Sequence, residues 1–112
     1  MRGVIMHSPG EVRVQDRDDP QIVEPTDAII KVTAACVCGS DLWPYRGIES
    51  IEGPMHGGPA PVRRFLPELI QLIWDRKIEP GKVFDKTLPL DRAAEAYDLM
   101  DKREAIKVLL QP

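Results

Sequence analysis

The sequence predicts an α+β fold built as one shortened domain, and three observations carry that prediction. Alternating and β-branched residues dominate the stretch up to Val37, whereas apolar residues at three- and four-residue spacing appear only from Phe65 onward. Between them lies a stretch without periodicity, Trp43 to Pro61, broken by Gly47, Gly53, Gly57 and Gly58 and by Pro44, Pro54, Pro59 and Pro61. Strands gathered in one half and helices in the other are the α+β arrangement, as opposed to a regular βαβ alternation.

Each element follows from its local pattern. Val4–Met6 is a short apolar run ending at Ser8-Pro9-Gly10, and Glu11–Gln15 then alternates with Val12 and Val14 on one face. Two extended runs around a Pro-Gly turn predict a β-hairpin. Residues 16–27 are polar, contain Pro20 and Pro25, and read as loop. Ala28–Val37 is the strongest strand candidate, with Ile30, Val32 and Ala34 on one face and Ile29, Lys31, Thr33 and Val37 on the other, wetter one. Phe65, Leu66, Leu69, Ile70, Leu72 and Ile73 mark an amphipathic helix with Pro67 near its first turn, Arg76 and Lys77 at its C-terminal end and Pro80-Gly81 as its stop. Val83–Leu88 reads as a strand. A second helix then opens with Asp91 as N-cap and Ala93, Ala96, Tyr97 and Met100 as its inner stripe. Ala105–Leu110 closes the series as a strand, for an order of ββ–β–α–β–α–β.

Composition narrows the functions. With 15 basic and 18 acidic side chains the net charge is −3, so no basic stripe is available for nucleic acid. No apolar run approaches the roughly 18 residues that a membrane span requires, and the short, polar Met1–Met6 is no secretory leader, so a cytoplasmic protein is expected. The two cysteines exclude a disulfide framework. A chain of 112 residues is also expected to be too short for a two-domain enzyme with its own dinucleotide fold, which alone takes more than about 100 residues.

The candidate chemistry gathers at Cys36-Val37-Cys38-Gly39-Ser40-Asp41. Residues i and i+2 of a strand share a face, so both thiols could meet one metal, although Cys36 reads better as a small buried apolar residue. Cys38 differs, because Gly39 permits a tight turn and Ser40 and Asp41 bring a hydroxyl and a carboxylate within three residues of a thiolate. Such a group could orient a zinc-bound water or alcohol and pass on its proton. His56 lies in the Gly-rich loop and could reach a metal beside Cys38, whereas His7, next to the hairpin turn, reads as a surface residue. One cysteine and one histidine do not close a zinc site, which takes four protein ligands, or three and a water. Gly57-Gly58 belongs to neither G-x-G-x-x-G nor G-x-x-x-x-G-K-[ST]. Trp43, Pro44 and Tyr45 could line an apolar pocket or simply pack. Arg63-Arg64, near a helix start, reads as a solvated basic pair rather than an anion contact.

Lys31-Val32-Thr33-Ala34-Ala35-Cys36-Val37-Cys38-Gly39-Ser40-Asp41-Leu42-Trp43 resembles the strand and first catalytic loop of zinc-dependent, medium-chain alcohol dehydrogenases. Met1–Gly10 and the following hairpin resemble that family's N-terminus. Leu66-Pro67-Glu68-Leu69-Ile70, Leu88-Pro89-Leu90-Asp91 and Ala93-Ala94-Glu95-Ala96-Tyr97 resemble its last 50 or so residues. The resemblance implies an N-terminal GroES-like segment over residues 1–55 joined directly, near Pro54–Gly58, to a C-terminal segment of the same catalytic domain over residues 56–112. The Rossmann domain that family members carry between the two is expected to be missing.

The resemblance also implies roles. Cys38 matches the first catalytic zinc ligand, Ser40 the hydroxyl that meets the alcohol and begins a proton relay, and Asp41 the carboxylate behind them. Lys107 falls where the family places a basic residue against the pyrophosphate of NAD(P). Trp43 stands where many members have a histidine, which interrupts the relay. The Gly-His-Glu segment with its zinc-ligating histidine, the later zinc ligand, the four-cysteine lobe and the Gly-rich cofactor loop are all absent from the sequence. His56 is the candidate substitute ligand. The expected function is therefore that of a truncated alcohol dehydrogenase-like protein, its zinc-assisted, NAD(P)-dependent alcohol/aldehyde interconversion impaired or lost. The alternatives are an oligomerisation or binding module derived from that family, expected to self-associate as a homo-oligomer, and a small zinc or redox module on Cys36 and Cys38.

Overall fold

A computed structural model of the chain describes residues 1–48 and 61–112. The chain divides into two compact units, Met1–Ser50 with Phe84–Pro112, and Ile51–Val83. The first unit holds the Cys38 turn.

In the first unit β1 (Arg2–Ser8) and β2 (Glu11–Asp16) form the expected antiparallel hairpin, with Val4 opposite Val14 and Met6 opposite Val12. Gly10 adopts φ +78 in its turn, where a side chain would be strained, and its N–H donates to the Tyr45 carbonyl at 2.8 Å. A second, mixed sheet has the order β3-β5-β4. In it β3 (Ala35–Val37) runs antiparallel and β4 (Lys86–Pro89) parallel to β5 (Val108–Gln111). A parallel pair needs a crossover, and the chain supplies one through a short 3-10 turn (Leu90–Arg92) that leads into a helix over Ala93–Asp101.

That helix buries Ala93, Ala96 and Met100 against Val37, Leu88, Val108 and Leu110. Small residues at its first two inner positions let the helix lie close on the sheet, and Met100 fills the far end. Leu42 completes this core from the other side of β3, and Val4 and Val14 of the hairpin pack against it.

Several expectations need correction. Only Ala35–Val37 of the predicted strand 28–37 is in a ladder. Residues 28–34 are exposed, because β5 offers partners to three residues of β3 alone. Cys36 is exposed rather than buried, since Val37 takes the core-facing position and the pleat turns its neighbour outward. The stretch after Asp41 is not all loop: Leu42–Tyr45 forms one helical turn, designated α1, with Pro44 inside it and Leu42 buried. β4 begins at Lys86, Val83 belonging to a preceding 3-10 turn (Pro80–Val83), and the last strand begins at Val108. Asp91 caps no helix with its side chain; its carboxylate pairs with Arg2 instead.

The second unit contains α2 (Val62–Trp74), followed after Trp74 by that 3-10 turn. Because α2 starts at Val62, Pro67 lies inside it rather than in its first turn. It is not Pro80-Gly81 that ends α2. Arg76 takes a left-handed φ of 54, its N–H reaches the Ile73 carbonyl, and that of Lys77 reaches Leu72. The helix over Ala93–Asp101, α3, ends identically, with Arg103 at φ 61 and the N–H groups of Arg103 and Glu104 on Met100 and Leu99. Both are Schellman endings with arginine where glycine is commonest. No helix among the described residues is long and apolar enough to cross a membrane.

Candidate functional site

The Cys38 turn begins where β3 ends. Cys38 is extended, with φ −122 and ψ 171, and a single 3-10 turn over Gly39–Asp41 then leads directly into α1. The turn is held by two reciprocal bonds. The Asp41 N–H donates to the Cys38 carbonyl at 3.1 Å, and the Cys38 N–H donates to Asp41 Oδ2 at 2.8 Å. An acidic side chain returning to the N-cap amide is the second half of a capping box, so the spacing Cys-Gly-Ser-Asp has a structural reason independent of any chemistry.

Cys38 Sγ and Ser40 Oγ lie 2.8 Å apart as a hydrogen-bonded pair. Cys38 and Asp41 are half-buried and Ser40 is exposed, so the hydroxyl has access to a ligand while the carboxylate is held behind it. The turn thus brings together three of the expected residues: Cys38, Ser40 and Asp41.

The wall behind the turn comes from α3. Burial pushes the Tyr97 phenol up to about 12, and its electrostatic interactions with Asp41 and Cys38 act in the same direction. Its ring stacks at a tilt on Tyr45, with centroids 5.2 Å apart. Arg46 then ties the end of α1 to the end of α3, its Nε donating to Asp101 Oδ1 at 2.6 Å. Tyr97 carried no chemical signal in the sequence, where it belongs to a helical stripe. The groups that act on it, Asp41 and Cys38, stand 56 and 59 positions earlier in the chain.

The remaining expected residues lie elsewhere. Lys107 precedes β5, one step beyond the Val37–Val108 pair of the ladder. Its ammonium stands over the Phe84 ring, 5.8 Å from the centroid. Its N–H and that of Ile106 donate to Asp85 at 3.2 and 2.9 Å, and they hold the Asp85 carboxyl below its usual range. Asp85 therefore anchors the start of β5, a role its sequence neighbourhood does not advertise. His56 falls outside the described residues. His7 is exposed, as expected of a surface residue.

A catalytic zinc takes three protein ligands and keeps one position open. Among the described residues no group of three or more His, Cys, Asp or Glu is placed to hold a metal ion. Asp41 is committed to the Cys38 amide, leaving the Cys38 thiol as the donor of the turn. The described residues do not fit a complete zinc centre.

No protein-family model matches the chain. Its sequence is 49% identical over 49 residues to zinc-type alcohol dehydrogenase B of Aspergillus flavus, a match covering 44% of this chain and 11% of that protein. It is 38% identical over 60 residues to a zinc-type alcohol dehydrogenase-like protein of Bacillus subtilis, covering 52% of this chain and 16% of the other. A medium chain reductase/dehydrogenase of Acremonium sp is 33% identical over 52 residues, covering 46% and 18%. The chain thus spans less than a fifth of the length of these relatives. Among solved structures, the alcohol dehydrogenase TADH of Thermus sp. ATN1 aligns with 55% of this chain and 22% of its own. The TM-score of 0.43 at 23% identity is too low to argue a shared fold. Over about half of its length, this chain is similar in sequence to zinc-type alcohol dehydrogenases and a medium chain reductase/dehydrogenase.

Proposed function

We propose that the chain is an alcohol dehydrogenase-like protein that keeps the alcohol-side turn of a GroES-like catalytic domain, lacks the dinucleotide-binding domain, and does not interconvert alcohols and aldehydes with NAD(P) by itself. The observation that carries this reading is the Cys38–Ser40 pair at 2.8 Å with Asp41 bound back to the Cys38 amide. On this reading Cys38 offers one thiolate to zinc, and His56, which lies outside the described residues, is the proposed second donor. Ser40 offers the hydroxyl to an alcohol, and Asp41 is a positioning residue. Zinc held by so few donors binds weakly. Hydride transfer needs a nicotinamide fixed against the substrate carbon, and Lys107, resting on Phe84, is the only residue here proposed to meet that cofactor. The test is zinc content by elemental mass spectrometry and NADH absorbance with an alcohol panel, both on one purified sample. The expected result is substoichiometric zinc and no turnover above a protein-free control. Stoichiometric zinc that Cys38→Ser abolishes, or NADH formation, would overturn it.

A second reading, a non-enzymatic module that self-associates, is favoured by a different observation. Ile29, Ile30 and Val32 lie exposed in a stretch with strand composition and, among the described residues, no strand partner. Such a stretch seeks an edge.

A further inference from the structure

Residues 28–34 (Ala-Ile-Ile-Lys-Val-Thr-Ala) lead directly into β3, an edge of the three-stranded sheet. The stretch has no proline or glycine and is rich in β-branched side chains. Among the described residues its backbone makes no hydrogen bond. Ile30 and Val32, 79% and 52% exposed, line an apolar groove of about 470 Å³ together with Val4, Ala35 and Leu90. Backbone donors and acceptors left without partners beside apolar side chains are what an added strand satisfies.

The charges identify that strand. Between Pro25 and Val37 the chain has two charged residues, Asp27 and Lys31, of opposite sign and four apart. Residues facing each other across an antiparallel pair share a face, and a two-fold axis makes such a pairing symmetric. If the axis passes through Ile29, Asp27 of each copy faces Lys31 of the other, Ala28 faces Ile30, and Ile29 packs on its own mate. An axis at Lys31 would oppose two ammonium groups, while one at Ile30 or Val32 would leave Lys31 opposite Ile29 or Thr33. One register satisfies both charges and keeps apolar residues together.

The groups that bear on this register are accounted for. The Asp27 carboxylate accepts the N–H groups of Val23 and Glu24 at 3.0 and 2.9 Å, and a carboxylate with about four acceptor sites retains capacity for an ammonium. Lys31 forms no ion pair among the described residues.

We propose that a second copy of this chain docks on residues 27–31 by antiparallel strand pairing about Ile29, with two Asp27–Lys31 ion pairs closing the interface. This inference rests on the self-association reading above and names its surface. The test is the mass of the full chain by size exclusion with light scattering over a concentration series, with amide hydrogen exchange read alongside. A dimer is expected, with residues 28–31 protected as its population rises. Lys31→Glu and Asp27→Lys should each raise the dimer dissociation constant by about tenfold or more, and the double exchange, which restores opposite charges, should bring the dimer back. Ile70→Lys on α2 should leave the dimer intact. A monomer at every concentration would overturn both the association reading and this interface. A dimer indifferent to Lys31→Glu, or not rescued by the double exchange, would overturn the interface alone, as would a dimer lost through Ile70→Lys.

Discussion

The tripeptide Ile-Lys-Val occurs twice in this chain, and its two copies have opposite fates. Ile106-Lys107-Val108 enters the central strand of a sheet, and Val108 is 0% exposed. Ile30-Lys31-Val32, with the same residues and a more β-branched context, pairs with nothing among the described residues, and Val32 is half exposed. The difference lies outside the tripeptides. The second copy is flanked by Asp85, which accepts its first two amides, and by β3 and β4, which supply ladders on both sides. Among the described residues the first copy has neither. β-propensity states that a segment suits a pleated, half-buried surface, and the neighbours decide whether that surface exists.

The comparison is broken most directly by placing the same charge in both copies. Val108→Asp should abolish folding of the first unit, because a buried, unpaired carboxylate costs more than about 4 kcal/mol in a domain whose whole stability is about 5–15 kcal/mol. Val32→Asp should shift monomer stability by less than about 0.5 kcal/mol in urea titrations. Comparable losses at the two sites would mean that residues 28–34 pack as β5 does.

A smaller effect comes from the turn that delivers the chain to β5. Arg103 is held at φ 61 at the end of α3, where a residue with a Cβ is strained by about 1–2 kcal/mol. Arg103→Gly should raise stability by about 0.5–1 kcal/mol, offset in part by the freedom glycine adds to the unfolded chain. A loss of stability in thermal unfolding would show that the arginine side chain contributes more than its backbone costs.

The smallest effect is the pH response of the anchor on β5. The N–H groups of Ile106 and Lys107 hold the Asp85 carboxyl below its usual range. Its contribution is therefore fully present above the unfolded carboxyl value of about 4 and is lost as pH falls through the lower folded value. Asp85→Asn should flatten that part of the acid limb of a stability-against-pH curve. Nothing comparable among the described residues anchors Ile30-Lys31-Val32, so Lys31→Gln should leave the acid limb of the monomer unchanged. An unaltered acid limb in Asp85→Asn would remove the carboxylate from the account of why β5 forms.

Much of the fold was legible because it rests on local signals. Pro9-Gly10 between alternating runs specified the hairpin, and the spacing of Ala93, Ala96 and Met100 specified α3 with its inner stripe correctly placed. The errors share one cause. The strand at 28–34, the burial of Cys36 and the cap at Asp91 each depended on a partner from another part of the chain, and pairing partners are not encoded in a segment's own pattern. The stop of α2 failed differently: the basic pair Arg76-Lys77 marks its C-terminal end in the sequence, but a left-handed arginine, not Pro80-Gly81, closes the helix.

At the site, the sequence was sufficient for Cys38, Ser40 and Asp41, because a three-residue turn brings together whatever side chains it carries. It was equally sufficient for the relationship to zinc-type alcohol dehydrogenases. Tertiary structure alone set Tyr97 against Tyr45 beside that turn, seated Lys107 on Phe84, and left Ile30 and Val32 without a partner among the described residues. The division is physical. Interactions within one turn of chain are fixed by covalent geometry, whereas burial and charge between remote segments depend on which surfaces fill the same core.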